Sequence, residues 1–399
     1  MLSSCSRARW AALLLALPLT IGLTATAHAQ APRTITVAAD TQRASTPSIS
    51  ANGRYVAYQS GITQTGTATG APAQVMLWDR ATRTTRIVSA VGGVPATAAS
   101  YSPRISSDGR YVAYVTQAPE VAAGASAEAP RVVLWDRRTD TTTAVSPVLT
   151  PPAGSHVVMG PPRPSKHGEY VAFGTDAALV ASDVDEDNDA YLWSRATGSL
   201  RMIPDRGNAF VTPRDISDDG RIVVLGTERY DDSEAEDVVV WDRRTGSRRL
   251  IARDSSAVLS GDGRFVAYST GRYTQGRLVT RVAVLDRVTG RRSTVAVPRR
   301  FAGYVWESAR PSAISRTGRF VTVLTHAPRR PDQLLLVDRR THGVSLVSHT
   351  PEGTLDRAGV TASGVSADAG AVVFSDRATP YAGPGSCCSE EGAVYLRRR

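Results

Sequence analysis

The chain has 399 residues, 42% of them hydrophobic but only 6% aromatic, and a net charge of +10. Three cysteines exclude a disulfide-built scaffold, so a core has to come from ordinary apolar packing. The basic residues, all arginine except Lys166, alternate with Asp and Glu instead of forming a phosphate-tracking stripe, which argues against nucleic acid as a partner.

At the N-terminus, Arg7 and Arg9 precede an apolar run, ALLLALPLTIGLT at 12–24, and Ala27-His28-Ala29 has the small-x-small pattern of a secretory cleavage site. Residues 1–29 are therefore expected to be a signal peptide, and 30–399 a single secreted, extracellular domain with no transmembrane segment. Cys5 stands before the apolar run, on the wrong side for lipid attachment. Cys387 and Cys388 remain, and adjacent cysteines without a further Cys or His beside them suit a local cross-link better than a zinc site.

The strand-like stretch RTITVAA at 33–39 comes first, and a repeat follows it. ISANGRYVAYQS at 49–60 returns at 105–116, 164–175, 216–227, 258–270, 314–325 and 365–376. The turn glycines are read as Gly53, Gly109, Gly168, Gly220, Gly263, Gly318 and Gly370, at intervals of 43 to 59 residues. A second phrase, QVMLWDR at 74–80, follows each copy and fades to LLLVDR at 334–339 and YLRRR at the end.

Each copy reads as four short strands. The first enters an Asn-Gly or Asp-Gly type turn, the second alternates as a pleated surface requires, the third is QVMLW-like, and DRxT turns into the fourth. The last copy supplies only three strands, and 33–39 resembles the missing fourth. Pairing the two closes a seven-bladed β-propeller of four-stranded antiparallel blades and removes two exposed sheet edges. The S-x-DG-R-Y/F-V-A-Y/F phrase followed by an apolar strand and D-R-x-T resembles the TolB-like, WD40-like propeller repeats of periplasmic and secreted bacterial proteins. That resemblance implies a binding scaffold without choosing its ligand, and the seven repeats depart from the six blades of TolB itself.

Trp78, Trp135, Trp193 and Trp241 share one repeat position, as do Asp79, Asp136, Asp242, Asp286 and Asp338; packing and turn formation account for them. The insertions are more informative. In LVASDVDEDNDAYLW, 179–193, Asp183, Asp185, Asp187 and Asp189 alternate around Glu186 and Asn188. A turn here gathers hard oxygen ligands suited to Ca²⁺, although the run lacks the glycine and terminal Glu of an EF-hand; a solvated acidic loop and a partner-recognition loop are the other readings. Asp231, Asp232, Glu234, Glu236 and Asp237 form a second acidic stretch in the next repeat. FAGYVWESARPS, 301–312, offers Tyr304, Trp306, Glu307 and Arg310 either as a ligand pocket or as a buried lid over a blade junction. In the third repeat, Pro161, Pro162 and Pro164 predict an irregular inner strand, with His167 as an exposed turn residue.

No G-x-S-x-G elbow, H-x-H or H-E-x-x-H spacing is present. The expected function is non-enzymatic: a secreted, monomeric binding or scaffold propeller that recognises a protein, peptide or small extracellular ligand through its loop face. The alternative is a secreted propeller enzyme, a lyase or hydrolase, with a polar site at the channel mouth.

Overall fold

The computed structural model describes residues 34–38, 44–61, 72–151, 157–185, 187–204, 209–229, 232–253, 255–274, 277–298, 300–301, 304–327, 330–348, 360–376 and 392–399. The expected signal peptide and Cys387–Cys388 lie outside the described residues. Among the described residues no helix is long and apolar enough to cross a membrane.

Seven four-stranded antiparallel sheets follow one another along the chain. Blade 1 comprises Ser45–Ile49, Tyr55–Ser60, Gln74–Asp79 and Thr84–Ile87, and blades 2 to 6 repeat this order from the axis outward. Blade 7 takes Val360–Val365, Ala371–Asp376 and Val394–Arg398 from the end of the chain and Thr34–Ala38 from its start. Thr34 stands opposite Arg397 and Ala38 opposite Val394, so the expected closure is present. The innermost strands touch their neighbours all the way round, blade 7 against blade 1 included. Blade 3 has an inner strand of only two residues, Arg163–Pro164, because its prolines cannot donate to the ladder.

The turn between the first and second strands explains the repeat. In all seven blades a buried serine (Ser50, Ser106, Ser165, Ser217, Ser260, Ser315 or Ser366) accepts the amide five residues on with its Oγ. In five blades the same hydroxyl donates to an Asn or Asp two residues on, such as Asp108 or Asp219. Gly220 completes the turn at φ +65, and an added Cβ would lie 2.2 Å from the ring of Tyr170 in the preceding blade. Both positive φ and flush packing therefore require glycine here. In blade 7 the turn position belongs to Ala369 at φ 55, with Gly370 one residue later, which corrects the assignment of Gly370 as the turn glycine.

These turns are joined into a belt. Ala367 N–H donates to Ala51 O, Ala51 N–H to Ser107 O, Asp108 N–H to Lys166 O, and Lys166 N–H to Asp218 O. Asp218 N–H then donates to Gly261 O and Asp262 N–H to Arg316 O, so backbone hydrogen bonds cross six of the seven blade junctions.

Arginine clamps reinforce the same end. Arg110 grips Asp136 across two strands, and Arg54–Asp79, Arg221–Asp242, Arg264–Asp286 and Arg319–Asp338 repeat the pair. Each Asp also accepts an amide two residues on, the turn role expected of it. The next arginine in the phrase reaches backwards: Arg137 lies 4.2 Å over the ring of Tyr55, and Arg195, Arg243, Arg339 and Arg399 cover the equivalent aromatic of the preceding blade. Between blades the core is apolar; Trp78, Trp135, Trp193 and Trp241 are buried in it, each packing against residues of a neighbouring sheet or its own.

Candidate functional site

The insertion after the second strand of blade 3 folds back so that Asp183, Asp185 and Asp189 each bring a carboxylate oxygen within 4.8 Å of the others. Asp189 opens the third strand, opposite Thr175, and is buried; Asp183 is buried in the preceding turn, and Asp185 is exposed. Tyr191, two residues along the strand, donates its hydroxyl to Asp183 Oδ2 and receives the amide of Leu179. Burial, and then the hydrogen bond to Asp183, pushes the Tyr191 phenol well above its usual range, so the hydroxyl keeps its proton and fixes the carboxylate. Asp183 Oδ1 is left buried without a hydrogen-bond partner. Three carboxylates this close repel one another, and a buried, unpartnered oxygen is costly. A hard cation relieves both penalties, so the residues fit an oxygen-ligated metal; they do not choose among Ca²⁺, Mg²⁺ and Mn²⁺. The Asp187 carboxylate is outside this grouping, and its amide donates to Asp185 Oδ1. Asn188 joins the insertion to blade 4, where its backbone carbonyl oxygen receives the amide of Val211.

The aromatic stretch behaves differently. Trp306 is buried against Ala327 and Leu335, and its indole N–H donates to Pro298 O at 2.7 Å. Glu307 donates its amide to His326 O, and Arg310 is exposed on the inner strand Ser308–Ile314. Tyr304 lies in the short strand Tyr304–Val305, paired with Arg300–Phe301. The indole is thus held against the second and third strands of blade 6. In the second acidic stretch, Glu236 turns inward and forms a two-pronged pair with Arg214.

The structure also brings together residues that no sequence motif marks. Two positions before the buried serine, the inner strands present Ser48, Arg104, Arg163, Asp215, Val258, Ala313 and Gly364 to the axis, where they line a cavity of about 290 Å³. Arg104 and Arg163 come from adjacent blades, and the Nε of each is buried without a hydrogen-bond partner. Burial lowers both, Arg163 to about 9 with the charge of Arg104 contributing. Asp215 is raised by burial and accepts the amides of Ile216 and Leu259. These half-buried residues line the axial space, and the protein packed around their charged groups shifts their ionisation. The only trace in the sequence is a charged residue two places before a serine that is otherwise preceded by small or apolar residues.

Histidines do not build a site among the described residues. His167 is exposed beside Asp108 at 2.9 Å, as expected for a turn residue, and His326 is exposed beside Asp332.

No protein-family model matches the chain, and no curated protein matches it. Solved structures do. An oligogalacturonate lyase in complex with manganese is similar over 92% of this chain and 92% of its own, with a TM-score of 0.59 at 12% identity. The oligogalacturonate lyase from Vibrio parahaemolyticus gives 0.58 at 12% identity, over 92% and 93%. TolB from Acinetobacter baumannii is similar over 87% and 81%, at 15% identity and a TM-score of 0.46.

The expectation of a non-enzymatic binding or scaffold propeller is corrected by these findings. The same ring supports catalysis in the lyases, so the fold gives no ground for excluding an enzyme. In the acidic insertion Asp183 and Asp189 are buried, Asp185 is exposed, and the three form a grouping that could hold a metal ion. The chain is a seven-bladed propeller, distantly similar to lyase propellers, with an acidic centre suited to a cation.

Proposed function

We propose that the chain is an exported, metal-dependent propeller enzyme, and that a lyase acting on acidic oligosaccharides is the first activity to test. The carrying observation is the Asp183–Asp185–Asp189 group, with Asp183 held by Tyr191 and one of its oxygens left unpartnered. Asp183, Asp185 and Asp189 would hold the ion, Ca²⁺ or Mn²⁺ being the two to compare. When bound, the ion supplies a Lewis acid that polarises a substrate carboxylate or activates water. Tyr191 keeps its proton, orients Asp183 and helps to exclude water from the buried side of the group. The substrate class is taken from the lyases of similar fold, whose substrate is an oligogalacturonate.

Calorimetry with Ca²⁺ and with Mn²⁺, on the wild type and on Asp183→Asn/Asp189→Asn, tests the metal. Incubation with oligogalacturonate tests the reaction: elimination leaves an unsaturated product absorbing in the ultraviolet, and hydrolysis yields new reducing ends without it. An absence of saturable metal binding together with an absence of either product overturns the proposal.

A further inference from the structure

A second site stands apart from the acidic centre. The second strand of blade 3 runs from Tyr170, at the turn end, to Thr175 beside Asp189. Six residues of strand place the two ends about 17 Å apart. The axial cavity lies at the turn end and the acidic group at the other. The cavity shares no residue with the acidic group and is independent of any metal bound there.

The floor of the cavity is built and electrically closed. Asp218 receives Ser107 Oγ at 2.7 Å and Arg316 Nε at 2.6 Å, linking turns of blades 2, 4 and 6 across the axis. Arg214 is neutralised by Glu236. Two guanidinium groups are left over, those of Arg104 and Arg163. Among the described residues no ion pair reaches either one. The nearest opposite charge, Asp215, already has an amide on each oxygen. Ser48 caps Ile105 N–H from the same ring position, so the Asp215 arrangement reads as a cap between blades. Two cations with idle Nε–H donors therefore face the axial cavity, with one engaged carboxylate on the neighbouring blade 4. The residues are half-buried but their Nε atoms are shut off from water, and leaving such a donor without a partner is costly. Arginine's planar fork matches the paired oxygens of a carboxylate or phosphate group.

We propose that the axial cavity beside blades 2, 3 and 4 binds a small oxyanion, the carboxylate or phosphate group of a soluble ligand, held by Arg104 and Arg163. The cavity volume admits a small organic acid, and the closed floor stops a longer chain from threading through.

Malonate and inorganic phosphate are titrated separately into the full mature chain by calorimetry, at physiological ionic strength to suppress non-specific attraction to a basic protein. Saturable one-to-one binding is expected for at least one probe, and the tighter probe identifies which oxyanion the site suits. Arg104→Gln and Arg163→Gln should each weaken it about tenfold or more, and the exposed Arg138→Gln should not. The anion should raise the melting temperature of the wild type and leave that of the double Gln variant unchanged. Should a Gln variant fail to fold, Arg104→Lys and Arg163→Lys serve instead, keeping the charge and losing the fork, with weaker binding expected. Saturable binding of neither probe, or unchanged affinity in folded Gln or Lys variants, overturns the proposal.

Discussion

The two ends of this propeller are built on different principles. At the turn end every blade spends the same residues in the same way: a buried serine, a tight turn and, in most blades, an Arg–Asp clamp and an arginine laid over the preceding blade's aromatic ring. At the insertion end the described residues of individual blades are put to different uses. Blade 3 gathers carboxylates, blade 4 turns Glu236 inward, and blade 6 buries Trp306 under its connection. Repetition marks what each junction needs to hold the ring, and departure from it marks what a single site needs. The instructive exception is the inner strand, where Arg104 and Arg163 break the repeat from within a repeated element.

That contrast can be broken by experiment. The largest effect is expected for Trp135→Ala, which empties a fully buried interblade position and should cost about 3–5 kcal/mol in denaturant unfolding. Gly220→Ala should cost about 2–4 kcal/mol, combining positive φ with a clash against Tyr170. Gly246→Ala, at φ +72 but with nothing within 4 Å, isolates the backbone part and should cost about 1 kcal/mol. Equal costs at the two glycines would show that interblade contact does not set the repeat. At the insertion end, saturating Ca²⁺ or Mn²⁺ should stabilise the wild type by about 2–3 kcal/mol at a hundredfold excess over Kd. Asp183→Asn should remove that gain and leave metal-free stability unchanged or slightly higher, because it relieves repulsion among carboxylates.

The smallest effect is pH-dependent and belongs to the clamps. The arginine hydrogen bonds hold Asp79, Asp136, Asp242, Asp286 and Asp338 below the usual carboxylate range. A carboxyl whose folded pKa is depressed contributes stability that is present above its unfolded value, about 4. That stability is lost as pH falls through the folded value. Unfolding free energy should therefore be level from neutrality to about pH 4 and decline below it, and Asp136→Asn should make the decline shallower. A profile unchanged by that substitution would mean the clamps are too exposed to matter.

Most of the frame was legible because its causes are local. Serine, glycine and alternating apolar residues announce a turn between strands, and a fourth strand missing at one end with a spare at the other announces closure. The Arg–Asp clamps were not legible as such. Arg110 and Asp136 are separated by a variable loop, and the stacking of Arg137 on Tyr55 exists only once blades are adjacent. At the acidic insertion, sequence alternation offered four carboxylates on equal terms. The fold distinguishes them, since Asp183 lies in a turn and Asp189 in a strand, and only chain reversal brings these two to Asp185. The axial arginines are hidden for the opposite reason: in a chain so rich in arginine, two more carry no signal until the ring position they share is known.

The closing strand has a consequence for biogenesis. Thr34 and Arg397, joined by a hydrogen bond in the finished ring, are 363 residues apart in the chain. At synthesis rates of about 5–20 residues per second, the first strand waits about 20–70 s for its partner to be made. Throughout that interval two sheet edges are open to wrong partners, including the edges of other unfinished copies. Exchange of the first strand between chains is therefore the assembly error to which this closure exposes the ring, and a carrier that delays folding until the whole chain is available would suppress it.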